Sequence, residues 1–158
     1  MLNIAAMMRQ RKLAGALMAA SLWLMSAQAW SQEEAGKLEI ASGSVSVTRS
    51  NQTRPAQAGM QLRSGDRITT GSNGYAEITL LDETVLAMGP NSRMRISRFR
   101  FDPVTSAGSM LLTVIKGALR VTTGVIAQRT PEAVQIRTML GTVGIPGKQF
   151  IVESRESD

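Results

Sequence analysis

The chain contains no cysteine and no histidine in 158 residues. Without a thiol or an imidazole it cannot build a Ser-His-Asp triad, a cysteine nucleophile, a structural zinc site or a haem ligated by either residue. No disulfide can cross-link it, so the fold must rest on packing alone. Aromatic residues are scarce at 4%, against 43% hydrophobic residues in all. Oxygen ligation and carboxylate or lysine chemistry remain open, yet no motif places two acids together. No catalytic, cofactor-binding or metal-binding residue is assigned, and the chain reads as a non-enzyme.

Charge is unevenly spread. The chain carries 18 Lys and Arg against 12 Asp and Glu, a formal +6. Arg9, Arg11 and Lys12 lie in the first dozen residues, whereas every acid comes at Glu33 or later. Once that leading segment is set aside, fifteen bases face twelve acids, about +3. The high isoelectric point therefore belongs largely to the N-terminus, and no nucleic-acid partner is expected.

That N-terminus reads as a secretory signal. Its three bases precede an apolar run over residues 13–25, broken only by Ser21, and Ser26-Ala27-Gln28-Ala29 supplies small residues for cleavage after Ala29. A spanning helix needs about 20 apolar residues, so the 13-residue run favours a cleaved signal over an inner-membrane anchor facing the periplasm. A cleaved product has no stable membrane span. The expected organisation is a signal peptide at 1–29, a linker at 30–42, a β domain at 43–152 and a polar tail at 153–158.

Period-2 alternation and turn residues predict strands at 43–48, 67–70, 75–80, 85–88, 110–116, 118–123, 133–138 and 149–152. Val45 and Val47 share one face, as do Ala76, Ile78 and Leu80. Turns are expected at Ser64-Gly65-Asp66, at Asp82-Glu83-Thr84 and at Gly89-Pro90-Asn91-Ser92, with a hairpin at Asn73-Gly74. Gly117 divides two strands. No sustained 3.6-residue period appears after the leading segment, so helix should be minor. The fold class is all-β, a single domain of short strands and tight turns, solenoid- or roll-like or sandwich-like. A weak echo, Arg67-Ile68-Thr69-Thr70-Gly71 against Arg120-Val121-Thr122-Thr123-Gly124, fits stacked strand–turn units.

The order of these motifs resembles the FecR domain family. The resemblance runs from Gly43 to Val152 and rests on Gly43-x-Val45, Gly59, Leu62, Gly65-Asp66-Arg67-Ile68-Thr69-Thr70-Gly71, Ala76-Glu77-Ile78, Leu81-Asp82, Gly89-Pro90-Asn91-Ser92, Ile96, Lys116-Gly117-x-Leu119-Arg120, and the closing run from Thr138 to Phe150. On that pattern Gly65, Asp66, Gly71, Asn73, Gly74, Asp82, Gly117, Gly144, Gly147 and Phe150 are expected to be turn and structural positions. The closing run departs from the family: Met139 stands where the family has Pro, Pro146 where it has Arg, and Lys148 where it has Thr. Pro146 offers no N–H and none of the five donors of an arginine.

The resemblance implies a binding or signalling module. In the best-known members a cytoplasmic anti-sigma segment and a membrane span precede a periplasmic domain that senses an outer-membrane iron-siderophore receptor. Only twelve residues precede the apolar run here, so a stand-alone periplasmic module is expected. Its partner would be a protein or an envelope glycan. Two alternatives stay open: a membrane-anchored regulator of the receptor-sensing type, and a structural envelope domain that associates with peptidoglycan or with itself.

Two features invite a site. The glycine run 141–147, followed by Lys148, resembles a phosphate loop superficially, but residues 149–152 read as a strand, not as the helix such a loop needs. Arg93, Arg95, Arg98 and Arg100 form the densest charge cluster. On a straight strand Phe99 and Phe101 would share the Arg93 face, whereas a bulge near Ser97 returns all four arginines to one side and Met94, Ile96, Phe99 and Phe101 to the other. The alternatives are a charged edge strand that discourages aggregation and a contact for an acidic partner, an anionic glycan or a lipid headgroup.

Overall fold

A computed structural model describes residues 33–155. The expected signal segment and its cleavage point after Ala29 lie outside the described residues. Among the described residues, no helix is long and apolar enough to cross a membrane.

Twelve strands form one sheet that curls into a half-barrel, an all-β single domain. In chain order these are β1 (Glu34–Ser42), β2 (Val45–Arg49), β3 (Gln52–Pro55), β4 (Gln61–Arg63), β5 (Arg67–Thr70), β6 (Tyr75–Leu80), β7 (Val85–Met88), β8 (Arg93–Phe101), β9 (Gly108–Thr122), β10 (Val134–Thr138), β11 (Gly141–Val143) and β12 (Gln149–Ser154). The described helix amounts to α1 (Val125–Arg129) and a 3-10 turn (Pro131–Ala133).

The sheet has two halves that share one strand. The β6 half runs β4-β1-β6-β7, then the C-terminal part of β9, then β12. The β8 half runs β3-β2-β5-β8, then the N-terminal part of β9, then β10 and β11. All pairings are antiparallel except β9 with β10. Gly117 sits at the hand-over in β9, at φ +84°, and a Cβ there would lie 2.3 Å from Ser92 Oγ. Only glycine meets both demands cheaply. The two strands expected on either side of Gly117 are thus one 15-residue strand with a hinge.

Alternation does what the sequence implied. Val45, Val47, Ile68, Ala76, Ile78 and Leu80 all turn inward and join Leu38, Leu86, Met94, Ile96, Phe99, Leu112, Leu119, Val121 and Ile136 in one core drawn from both halves. Each fully buried large side chain contributes about 1.5–3 kcal/mol relative to exposure.

Two expectations need correction. The stretch 30–42 is no linker from Glu34 onward: β1 pairs with β4 and β6 and buries Ala35 and Leu38 completely. Its pattern was obscured because Gly36 is an inward position where the Thr79 backbone comes too close for any Cβ. Likewise β12 continues through Glu153 to a buried Ser154, so the polar tail begins later than 153. The second correction is Asn73-Gly74. It makes no hairpin, because β5 pairs with β2 and β8 while β6 pairs with β1 and β7. Neither residue adopts positive φ; instead Asn73 Oδ1 accepts the Ser44 N–H at 3.1 Å, joining two turns that cross between the halves.

Candidate functional site

Strand β8 positions the four arginines. The register slips between Ile96 and Arg98, which places the bulge at Ser97. Met94, Ile96 and Phe99 are buried, Arg95, Arg98 and Arg100 are exposed, and Arg93 is half-buried. Phe101 packs against the core from a partly buried position. The strand is no edge, since β5 and β9 flank it.

Register extends the cluster across the sheet. Thr53 lies opposite Thr48, Thr48 opposite Arg67, Arg67 opposite Arg95, Arg95 opposite Thr113, Thr113 opposite Arg137, and Arg137 opposite Thr142. Directly paired residues share a face, so this rung crosses the outside of the β8 half. Next to it Arg93 pairs with Thr69 and Lys116. Arg67, Lys116 and Arg137 escaped sequence reasoning. Parity shows that Arg67 and Arg137 point away from Ile68 and Ile136, but only the strand order reveals that they neighbour β8.

The strands of the β8 half, counting β9 up to Lys116, carry nine cations and no acid: Arg49, Arg54, Arg67, Arg93, Arg95, Arg98, Arg100, Lys116 and Arg137. The β6 half is mixed, with Glu34, Glu39, Glu77 and Glu153 beside Lys37, Arg63 and Arg120. Like charges placed directly opposite destabilise a sheet, and Arg67–Arg95 and Arg93–Lys116 are two such pairs. Arg95 Nε donates to the Gly65 carbonyl at 3.3 Å, and Arg100 Nε lies 3.3 Å from Glu33 at an exposed position. An exposed pair of that kind contributes about 0–1 kcal/mol.

Beside Arg93 and Lys116 is a polar notch of about 120 Å³, also lined by Thr69, Thr70, Asn91 and Ser92. Its walls are fixed. Thr70 Oγ1 donates to the Gly89 carbonyl at 2.7 Å and accepts the Ser92 N–H at 2.9 Å; Ser92 Oγ accepts the Ala118 N–H at 3.2 Å. The Gly89-Pro90-Asn91-Ser92 motif thereby ties the end of β5 to the hinge of β9.

The remaining expected positions are structural. Gly65 and Asp66 turn the chain from β4 to β5. Asp66 Oδ2 accepts the Arg63 N–H at 2.9 Å, the local turn contact, but the larger role is a partly buried pair in which the half-exposed Arg49 donates from Nε and Nη2 to the two oxygens of the buried Asp66 at 2.8 and 2.7 Å. The hydrogen bond to Asp66 holds the Arg49 guanidinium above its ordinary pKa; burial opposes this and the Asp66 charge adds to it. Gly71 donates its N–H to Ser44, and Gly74 packs against the same segment. Asp82 is wholly buried in the β6–β7 turn, where it accepts Thr84 N–H and Oγ1–H at 3.2 and 2.8 Å and Ile126 N–H at 3.4 Å. Gly124 must be glycine there, because a Cβ would meet the Asp82 carbonyl at 2.0 Å. Gly144 and Gly147 lie in the exposed loop between β11 and β12, which leads into a strand, and Phe150 of β12 packs against the core. No three acids converge among the described residues.

A half-barrel of one curled sheet, with motif loops that lock its halves together, defines the class as an all-β domain. The chain belongs to the FecR family: the model of the FecR protein family matches residues 66–158. The match opens at Asp66, the buried acid between β4 and β5. No curated protein and no solved structure matches the chain.

Proposed function

We propose that the chain is an exported, non-enzymatic FecR-family binding and signalling module of the bacterial cell envelope, and that its outer β8-half face does the docking. The observation that carries this reading is the outer face of strands that carry no acid, where Arg67, Arg93, Arg95, Arg98, Arg100, Lys116 and Arg137 gather. A charged sheet face needs acids interspersed if solubility is its only task, and here like charges stand opposite one another instead.

The test is co-sedimentation with total envelope, membranes and cell wall together. Wild type is expected to sediment in a salt-sensitive manner, and an Arg93/Arg95/Arg98/Arg100→Ser variant to remain in solution. Equal sedimentation of the two would reduce the cluster to a solubility feature. Family membership favours a second reading, an anchored periplasmic regulator that senses an outer-membrane receptor. N-terminal sequencing separates the two: a chain that begins at Trp30 is the cleaved module, and one that retains Met1 or Met8 is the anchored form.

A further inference from the structure

We infer that the partner of the β8-half face is the phosphate-bearing surface of an anionic phospholipid bilayer, with the β10–β11 hairpin tip entering the headgroup layer. This rests on the docking role proposed above for that face.

Three observations converge. First, the cations form a two-dimensional array. Arg67 and Arg137 are three strand spacings apart and Arg93 and Arg100 seven residues apart, so the array spans about 14 Å by about 23 Å. A linear polyanion can follow one row of such an array, whereas a plane of phosphates engages all of it. Second, Arg93 and Lys116 flank the polar notch and suit a phosphate oxygen cluster there, while the Thr70 and Ser92 hydroxyls are engaged by the backbone and hold the notch in shape. Third, the β10–β11 hairpin tip groups exposed apolar side chains, Leu140 at 98%, Met139 at 63% and Val143 at 40%, whereas Val104, at 91%, stands alone in the β8–β9 turn at the other end of this half. Because β10 runs parallel to β9 with Arg137 opposite Thr113, the tip emerges toward the Lys116 end, the same end as the notch. A basic face combined with an apolar insertion is the pairing that holds peripheral proteins on anionic lipid. An acidic protein or a glycan leaves Leu140 and Met139 unexplained.

The experiment is partition of the full chain onto phosphatidylglycerol and phosphatidylcholine vesicles. The leading segment, whose Arg9, Arg11 and Lys12 also favour anionic lipid, is common to every variant, so each variant is read as a change from wild type, with phosphatidylcholine reporting its charge-independent binding. Wild type is expected to favour phosphatidylglycerol, with the preference collapsing as salt rises. Arg67→Ser/Arg95→Ser/Arg137→Ser should cut that preference on the order of a hundredfold, about fivefold per arginine, and arginine-to-lysine changes at the same positions should restore most of it. Met139→Ser/Leu140→Ser should weaken binding several-fold with the salt dependence unchanged. The β6-half control, Lys37→Ser/Arg120→Ser, should shift the preference by less than about twofold. Equal loss from the β6-half control overturns the orientation. A preference that survives the triple variant, or a tip variant with no effect, overturns the lipid assignment. If total envelope still captures the chain while both vesicle types do not, the lipid assignment fails and the docking reading stands; if neither captures it, both fail.

Discussion

The two halves of the sheet share a core and one strand but present opposite surfaces. On the β6 half the outer rung runs Ile40, Glu77, Ala87, Arg120 and Ile151. The β8-half rung runs Thr53, Thr48, Arg67, Arg95, Thr113, Arg137 and Thr142. The first mixes signs and ends on two exposed isoleucines; the second is made only of threonines and arginines and has no acid. Strand β9 passes through both and changes character at Gly117. The inner face answers to packing alone, so it looks alike in both halves. The outer face is free to differ, and on the β8 half it sets like charges opposite one another at Arg67–Arg95 and Arg93–Lys116.

Each half contains one fully buried carboxylate, and removing either sharpens the contrast. Asp66→Ala should have the largest effect, a loss of about 2–3 kcal/mol, because it removes two charge-assisted hydrogen bonds from Arg49 and leaves the Arg63 N–H without its acceptor; Arg49 itself, partly exposed, keeps water. Thermal or urea unfolding would measure it, and Arg49→Ala should cost less because Asp66 keeps the Arg63 N–H. Asp82→Ala leaves the Thr84 and Ile126 donors unsatisfied inside the β6 half and should cost about 1–3 kcal/mol. If both aspartate variants unfold alike, the Arg49–Asp66 pair is no stronger than an ordinary buried turn.

Gly117→Ala tests the hinge. A left-handed alanine pressed on Ser92 should cost at least about 2 kcal/mol, whereas Gly144→Ala, in open space, should change the unfolding free energy by no more than about 0.5 kcal/mol.

Arg67→Glu breaks the charge asymmetry itself. It converts a repulsive pair with Arg95 into an attractive one and should stabilise the domain by about 0.2–1 kcal/mol while it weakens envelope binding by about 25-fold, two charges at about fivefold each. Stability and function moving in opposite directions on one substitution is the signature of a face selected for a partner. A destabilised Arg67→Glu variant would remove the argument from repulsion.

The smallest effect lies at the β8–β9 turn. Val104 N–H, followed by the Thr105 hydroxyl and N–H, holds the Asp102 carboxyl below its ordinary pKa. A depressed carboxyl stabilises the fold above the ordinary aspartate value, and that contribution fades as pH falls through the lowered folded value. Asp102→Asn should therefore lower stability slightly at neutral pH, flatten the acid limb of the profile and leave the most acidic end unchanged.

Much of this was legible in advance, for physical reasons. Strict alternation marks the inward residues of β2, β5, β6 and β8, and even the bulge at Ser97 follows from the parity of Arg93 to Phe101. What the chain order hides is long-range pairing. Asn73-Gly74 carries the local chemistry of a hairpin, yet its flanking strands part into different halves. Asp66 shows its turn contact locally, but its Arg49 partner lies 17 residues away. Strand β1 hides behind Gly36, where close backbone approach forbids the hydrophobic residue that would have revealed the pattern. The basic face stayed incomplete for the same reason: β5, β8, β9 and β10 become neighbours only in space.

The most direct test of that face is amide hydrogen exchange of the full chain, with and without phosphatidylglycerol vesicles. The account predicts new protection at the β10–β11 tip and along β5, β8 and β10, with β1, β6 and β7 unchanged. Protection centred on the β6 half, or spread evenly over both, would contradict it.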